Sequence, residues 1–132
     1  MQIHESAENY LETILMLQER NGTVRSIDIA NELDFSKPSV SVAMKNLRTN
    51  GYIEMDKSGQ IRLLPKGMEI AERTYEKHRV LSKCLIALGV DPKVAAEDAC
   101  RLEHVISAES FDAIKRHMHL AEKAIAAREA QE

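Results

Sequence analysis

The sequence predicts a mainly α-helical chain with one small β-hairpin near its middle. Apolar residues recur at helical spacing in six segments, and the one clear stretch of alternation around a Ser-Gly turn lies at 52–64. No apolar run reaches the roughly 18 residues of a membrane-spanning helix.

The first helix is read over Ser6–Arg20, with Tyr10, Leu11, Ile14, Leu15 and Leu17 at helical spacing and Asn21-Gly22 closing it. Ser26 is read as the N-cap of a short helix, Ile27–Leu33, with Asp28 favourably placed in its first turn. Asp34-Phe35-Ser36 forms a tight connection, after which Ser36 caps a helix that carries Pro38 in its first turn. Val40, Ala43, Met44 and Leu47 share one face of that helix, and Gly51 ends it. Strands are predicted for Tyr52–Met55 and Gln60–Leu64, joined through Ser58-Gly59. Pro65 opens a long helix running to about Leu88, closed by Gly89. Asp91 caps the next helix, Pro92–Ile106, and Ser107 caps the last. There Phe111, Ile114, Met118, Ala121 and Ile125 form a heptad-like stripe suited to packing on another helix. Helix-helix-helix-hairpin is the winged helix-turn-helix arrangement. The expected division is a winged helix-turn-helix domain over 1–64 and a helical domain over 65–132.

Composition narrows the class. A chain of 132 residues suits one domain or two small ones, and 44% hydrophobic with 30% charged residues is ordinary for a globular protein. The N-terminus lacks the basic start and apolar core of a signal peptide, so cytoplasm is expected. In that compartment Cys84 and Cys100 are not expected to pair; each is a small core residue or a ligand, and Cys84 is read as core. The net charge of -3 is unevenly spread, because 36–66 carries six basic and two acidic residues. Such a stretch can meet phosphate, although a solvated face reads the same way.

In a helix-turn-helix unit the second helix enters the major groove by its N-terminal residues. Here Ser36, Ser39 and Ser41 are short hydrogen-bonding groups, Lys37 can reach a phosphate, and Val42 can meet a thymine methyl. Pro38 belongs to the same start, and Lys45 lies a turn further along the outer face. Lys57 and Ser58 at the hairpin tip, with Arg62 on its return strand, are expected along the flanking backbone.

A second constellation has the chemistry of metal ligands. Cys100, Glu103 and His104 fall at i, i+3 and i+4, expected on one helix face within reach of one ion. His78 lies on the preceding long helix, and Asn9 and Glu12 stand at i and i+3 on the first. The structural alternatives are a buried thiol for Cys100, a solvated carboxylate for Glu12 and a hydrogen-bonded core-edge imidazole for His78. An enzyme using Cys100 as nucleophile and His104 as base lacks a nearby oxyanion-forming segment, so no catalytic residue is assigned. His117 and His119, two apart on a helix, are read as surface residues.

The stretch from Asp98 to Ser107 resembles the metal-ligand helix of the diphtheria toxin repressor and manganese transport regulator family. Ser36-Lys37-Pro38-Ser39-Val40-Ser41 resembles that family's recognition-helix start, and Glu8-Asn9-Tyr10-Leu11 and Lys77-His78-Arg79 match its first and fourth helices. The resemblance implies a homodimeric repressor, paired through its C-terminal helices. It also implies that bound Fe(II) or Mn(II) promotes binding to double-stranded operator DNA and controls metal-uptake genes. It carries over Glu12, His78, Cys100, Glu103 and His104 as ligands, with Asn9 beside them. Asn9 departs from the pattern: the manganese branch has aspartate there and the iron branch methionine. Glu12 matches the manganese branch and Cys100 the iron branch, while Ser82 and Ala96 replace the iron branch's ancillary ligands. The sequence reads as a short form without the SH3-like domain of longer members. The alternative function is a winged-helix regulator that answers to an organic effector or to thiol oxidation.

Overall fold

The computed structural model describes residues 5–131. Met1–His4, where the reading of the N-terminus as free of a targeting segment begins, lie outside the described residues. The order is α1(Glu5–Asn21), α2(Ser26–Leu33), α3(Lys37–Thr49), β1(Ile53–Met55), β2(Ile61–Leu63), α4(Pro65–Ala87), α5(Pro92–Leu102) and α6(Ala108–Gln131). The fold class is the one expected, six helices and a two-stranded antiparallel hairpin among the described residues. Two compact units divide it, Met1–Tyr75 and Glu76–Glu132, and the boundary falls inside α4.

The first unit holds one apolar core. α1 contributes Leu11, Ile14, Leu15 and Leu17, α2 Ile29 and Ala30, α3 Val40, Met44 and Leu47, and the hairpin Ile53 and Ile61. Burying such side chains contributes about 1.5–3 kcal/mol each, which is why the 3.6-residue period of the apolar positions selects these helices. Ser36 has the extended backbone of an N-cap, and its Oγ accepts from the Ser39 N–H at 3.3 Å, as expected for α3. At α2 the cap is one residue earlier than expected. Arg25 has the extended cap conformation, and its backbone N–H donates to the Asp28 carboxylate at 2.9 Å, so Ser26 is the first helical residue. Asp28 selects that position because its reach back of three residues satisfies an amide the helix leaves open.

The hairpin pairs Ile53 with Leu63, Glu54 with Arg62 and Met55 with Ile61. Asp56 organises its turn: one carboxylate oxygen accepts from the Ser58 N–H, the Ser58 hydroxyl and the Gln60 N–H at 2.7–2.9 Å. The Ser58 hydroxyl bond, first among these, holds the Asp56 carboxyl below its ordinary pKa of 3.8. Gly59, with φ of 86°, supplies the left-handed residue the turn needs. The Ile61 N–H donates to the Val24 carbonyl at 2.7 Å, which lays the α1–α2 linker along β2. At the base of the hairpin the Tyr52 carbonyl lies so close to Gly67 of α4 that a Cβ there would stand 2.1 Å from its oxygen. Lys66 sits over the Tyr52 ring, 4.3 Å from its centroid.

The second unit comprises the latter part of α4 with α5 and α6. Leu81, Ala95, Ala99 and Phe111 are buried within it. Asp91 caps α5 by accepting from the Lys93 and Val94 N–H groups, and the Ser107 hydroxyl caps α6 through the Ser110 N–H at 3.1 Å. α5 ends at Leu102, four residues before the predicted Ile106. The Leu102 carbonyl accepts from both Val105 and Ile106, so the chain makes a turn over 103–106 and frees Ser107 for its cap. Along α6 the predicted stripe grades from Phe111, 6% exposed, to Ile125, 54% exposed. Glu76 pairs with Lys115 and Lys83 with Glu122, and both pairs are solvated and contribute little. No helix among the described residues is long and apolar enough to cross a membrane.

Candidate metal centre and DNA-reading surface

The DNA-reading candidates form one exposed surface of the first unit. Val40, Met44 and Leu47 take the inner face of α3, which leaves Lys37, Ser41 and Lys45 on its outer face at intervals of four. Ser36, Pro38, Ser39 and Val42 are exposed at the same helix start, and Val42 is 61% exposed. Lys57, Ser58 and Arg62 are exposed on the hairpin. Arg48 extends the outer row of α3 by three residues and was not singled out from sequence. Its guanidinium lies 3.6 Å from the Met55 sulfur, a contact between helix end and hairpin that linear spacing does not reveal.

The metal-ligand candidates are distributed over both units. In the second, three of them converge. The Glu103 side chain is wholly buried, and its Oε2 lies 3.0 Å from His78 Nδ1. Its Oε1 lies 3.3 Å from His104 Nε2, an ion-pair distance without hydrogen-bond geometry. His78 comes from α4, three residues past the unit boundary. Glu103 and His104 follow the end of α5, where the turn at 103–106 directs both side chains inward. Cys100, a turn earlier on α5, is exposed, so the three positions expected on one face differ in burial. Glu12 is buried on α1 of the first unit, and half-buried Asn9 precedes it, its carbonyl accepting from the Thr13 hydroxyl at 2.8 Å. Cys84 is half-buried, and His117 and His119 are exposed.

A buried carboxylate is costly unless neutralised by partners. Here both oxygens of Glu103 face imidazole nitrogens, and one of them still lacks a hydrogen bond. An imidazole and a buried carboxylate 3.0 Å apart suit a divalent first-row ion. The donor set fits a resident metal.

A winged helix-turn-helix and an oxygen-nitrogen donor cluster in one chain define a DNA-binding protein equipped for metal. Residues 2–61 match the family model "Iron dependent repressor, N-terminal DNA binding domain", and residues 64–124 match "Iron dependent repressor, metal binding and dimerisation domain". The chain is 35% identical to the transcriptional regulator MntR of Escherichia coli O6:H1 strain CFT073 over 84% of its own length and 72% of that protein's. It is 34% identical to an HTH-type transcriptional regulator of Methanocaldococcus jannaschii over 86% and 93% of the two lengths. Among solved structures, that of the manganese regulator SloR superposes with a TM-score of 0.75 at 28% identity, covering 90% of this chain. The chain spans 55% of the SloR chain. It belongs to the iron-dependent repressor family of metal-dependent transcriptional regulators.

Proposed function

We propose that this protein is a repressor which binds operator DNA as a homodimer when Fe(II) or Mn(II) is bound, and so controls genes of metal uptake or homeostasis. The observation that carries this reading is the buried Glu103 carboxylate, faced by His78 and His104 at 3.0 and 3.3 Å, in a chain whose other unit is a DNA reader. We assign His78, Glu103 and His104 as ligands, with Cys100, Glu12 and Asn9 as further donors. Cys100 is exposed on α5, and Glu12 is a buried carboxylate on the first helix. When bound, the ion supplies a positive centre that these anionic and imidazole donors share. His78 and His104 donate neutral nitrogen, which fixes each imidazole with its other nitrogen protonated. With a metal centre and a DNA reader in one chain, metal affinity and DNA affinity are interdependent, with a coupling of about 1–3 kcal/mol usual for such linkage.

We assign DNA reading to 1–64 and metal binding and dimerisation to 65–132, a division supported by the family matches over 2–61 and 64–124. Leu88, Val105, Leu120 and Ile125, each more than half exposed in the second unit, support pairing through the C-terminal helices. Ser36, Lys37, Pro38, Ser39, Ser41, Val42 and Lys45 enter the major groove, and Lys57, Ser58 and Arg62 lie along the flanking backbone.

The test is an anaerobic binding titration on a duplex selected by the protein from a random-sequence library in the presence of Mn(II). Affinity is measured without metal and with Mn(II), Fe(II), Co(II) and Zn(II). At least a fivefold gain with Mn(II) or Fe(II) is expected. Equal affinity with and without metal refutes the reading.

A further inference from the structure

The structure brings together two backbone segments, each followed by an exposed arginine, that lie 37 positions apart in the chain. The 2.7 Å hydrogen bond from the Ile61 N–H to the Val24 carbonyl makes the α1–α2 linker a one-residue neighbour of β2. Val24 and Ile61, 1% and 3% exposed, both point into the core. Alternation along extended backbone then turns the next residue of each segment outward. Those residues are Arg25, with φ of -127° and ψ of 164°, and Arg62, and both are exposed. Backbone segments joined by such a bond lie about 4.8 Å apart, which leaves the two arginine side chains, each one residue on from the bonded pair, able to reach adjacent phosphates.

Of the acidic groups nearby, Asp28 and Asp56 are engaged by backbone amides, while Glu54 faces Arg62 across the hairpin and Arg62 also acts on the Asp56 carboxylate. Asp28 accepts from the Arg25 backbone N–H, which fixes the backbone from which the Arg25 side chain projects. Asp56 is occupied by the amides of its own turn, and Glu54 lies opposite Arg62 across the hairpin. Arg25 also sits at the start of α2, the helix that in a helix-turn-helix unit crosses the DNA backbone.

We propose that Arg25 acts with Arg62 as a two-arginine phosphate clamp, seating the hairpin and the first helix of the reading unit on the same stretch of DNA backbone. This rests on the DNA-binding reading, and Arg25 is a positioning residue in it: it sets where the recognition helix enters the groove and reads no base. Because backbone contacts carry no sequence information, its loss lowers affinity for every sequence alike.

The experiment uses the full chain with Mn(II) and the library-selected duplex. Binding is measured by fluorescence anisotropy between 50 and 200 mM salt for wild type, Arg25→Ala, Arg62→Ala, the double variant and Lys123→Ala. Lys123 is an exposed cation on α6 and controls for net charge. Each phosphate contact contributes about 0.9 to the slope of log K against log salt. Each substitution removes one contact per subunit, so Arg25→Ala is expected to lower the slope for the bound dimer by about 1.8 and the double variant by about 3.6, with the selected sequence unchanged. Arg25→Lys is expected to restore most of the slope, which a purely structural role for Arg25 would not predict. An unchanged slope in Arg25→Ala, or an equal fall in Lys123→Ala, overturns the clamp. Failure of the wild type to select any duplex overturns the DNA-binding reading itself and is thereby told apart.

Discussion

Replacing Gly67 by alanine sets two effects of opposite sign against each other. Gly67 is the third residue of α4, where alanine ordinarily stabilises a helix by about 0.5–1 kcal/mol over glycine. Here the added Cβ would stand 2.1 Å from the Tyr52 carbonyl oxygen, 3.0 Å from its carbon and 3.3 Å from its Cα. The obstacle is backbone, so no side-chain rotation relieves it. α4 must instead withdraw from the hairpin by about 1 Å, and overpacking of this kind typically costs about 1–3 kcal/mol. Withdrawal also strains the 3.0 Å hydrogen bond from the Leu64 N–H to the Tyr52 carbonyl, a bond of about 0.5–1.5 kcal/mol. The clash outweighs the propensity gain, leaving a net destabilisation of about 1–2 kcal/mol. Thermal unfolding of the metal-free protein, followed by circular dichroism at fixed protein concentration, is expected to show Tm lowered by about 4–10 °C. A Tm equal to or above wild type would mean that helix propensity dominates and that the close approach of Tyr52 to α4 is not held in solution.

Three further outcomes are expected. Glu103→Gln keeps the shape of the buried side chain and removes its charge, so Mn(II) affinity measured by calorimetry should fall about 10–100-fold and metal-dependent DNA binding with it; an unchanged affinity would exclude Glu103 as a ligand. Met44→Ala empties a site that is 1% exposed beneath the recognition helix and should cost about 2–5 kcal/mol in chemical denaturation, whereas less than 1 kcal/mol would show that the core closes over the gap. Asp56 titrates below its ordinary value, so the order it gives the hairpin turn is present above pH about 4 and is lost as pH falls through its depressed folded pKa. Amide exchange at Ser58 and Gln60, corrected for intrinsic rate, should therefore lose protection over that acid range in the wild type and be unprotected throughout in Asp56→Ala; equal protection in the two proteins would refute the role of the carboxylate.

The sequence by itself determined the helices, the hairpin and the reading surface, because these depend on local rules. Ser36 and Pro38 begin α3 wherever that segment is placed, and a 3.6-residue period that buries Val40, Met44 and Leu47 necessarily exposes Lys37, Ser41 and Lys45. The metal-ligand types were legible for the same reason, as donor residues at helical spacing. Their arrangement was not. Spacing alone put Cys100, Glu103 and His104 on one face, yet Glu103 is buried and Cys100 exposed, because packing against neighbouring elements sets burial and spacing does not. Where a helix stops depends on competition for its last carbonyls, here won by Val105 and Ile106 bonding to Leu102. Only the tertiary structure joined His78 to Glu103 across 25 positions, or laid Val24 on Ile61 across 37. Local propensity extends over a turn or two of chain, whereas those contacts depend on how separate elements pack, which no short window of sequence contains.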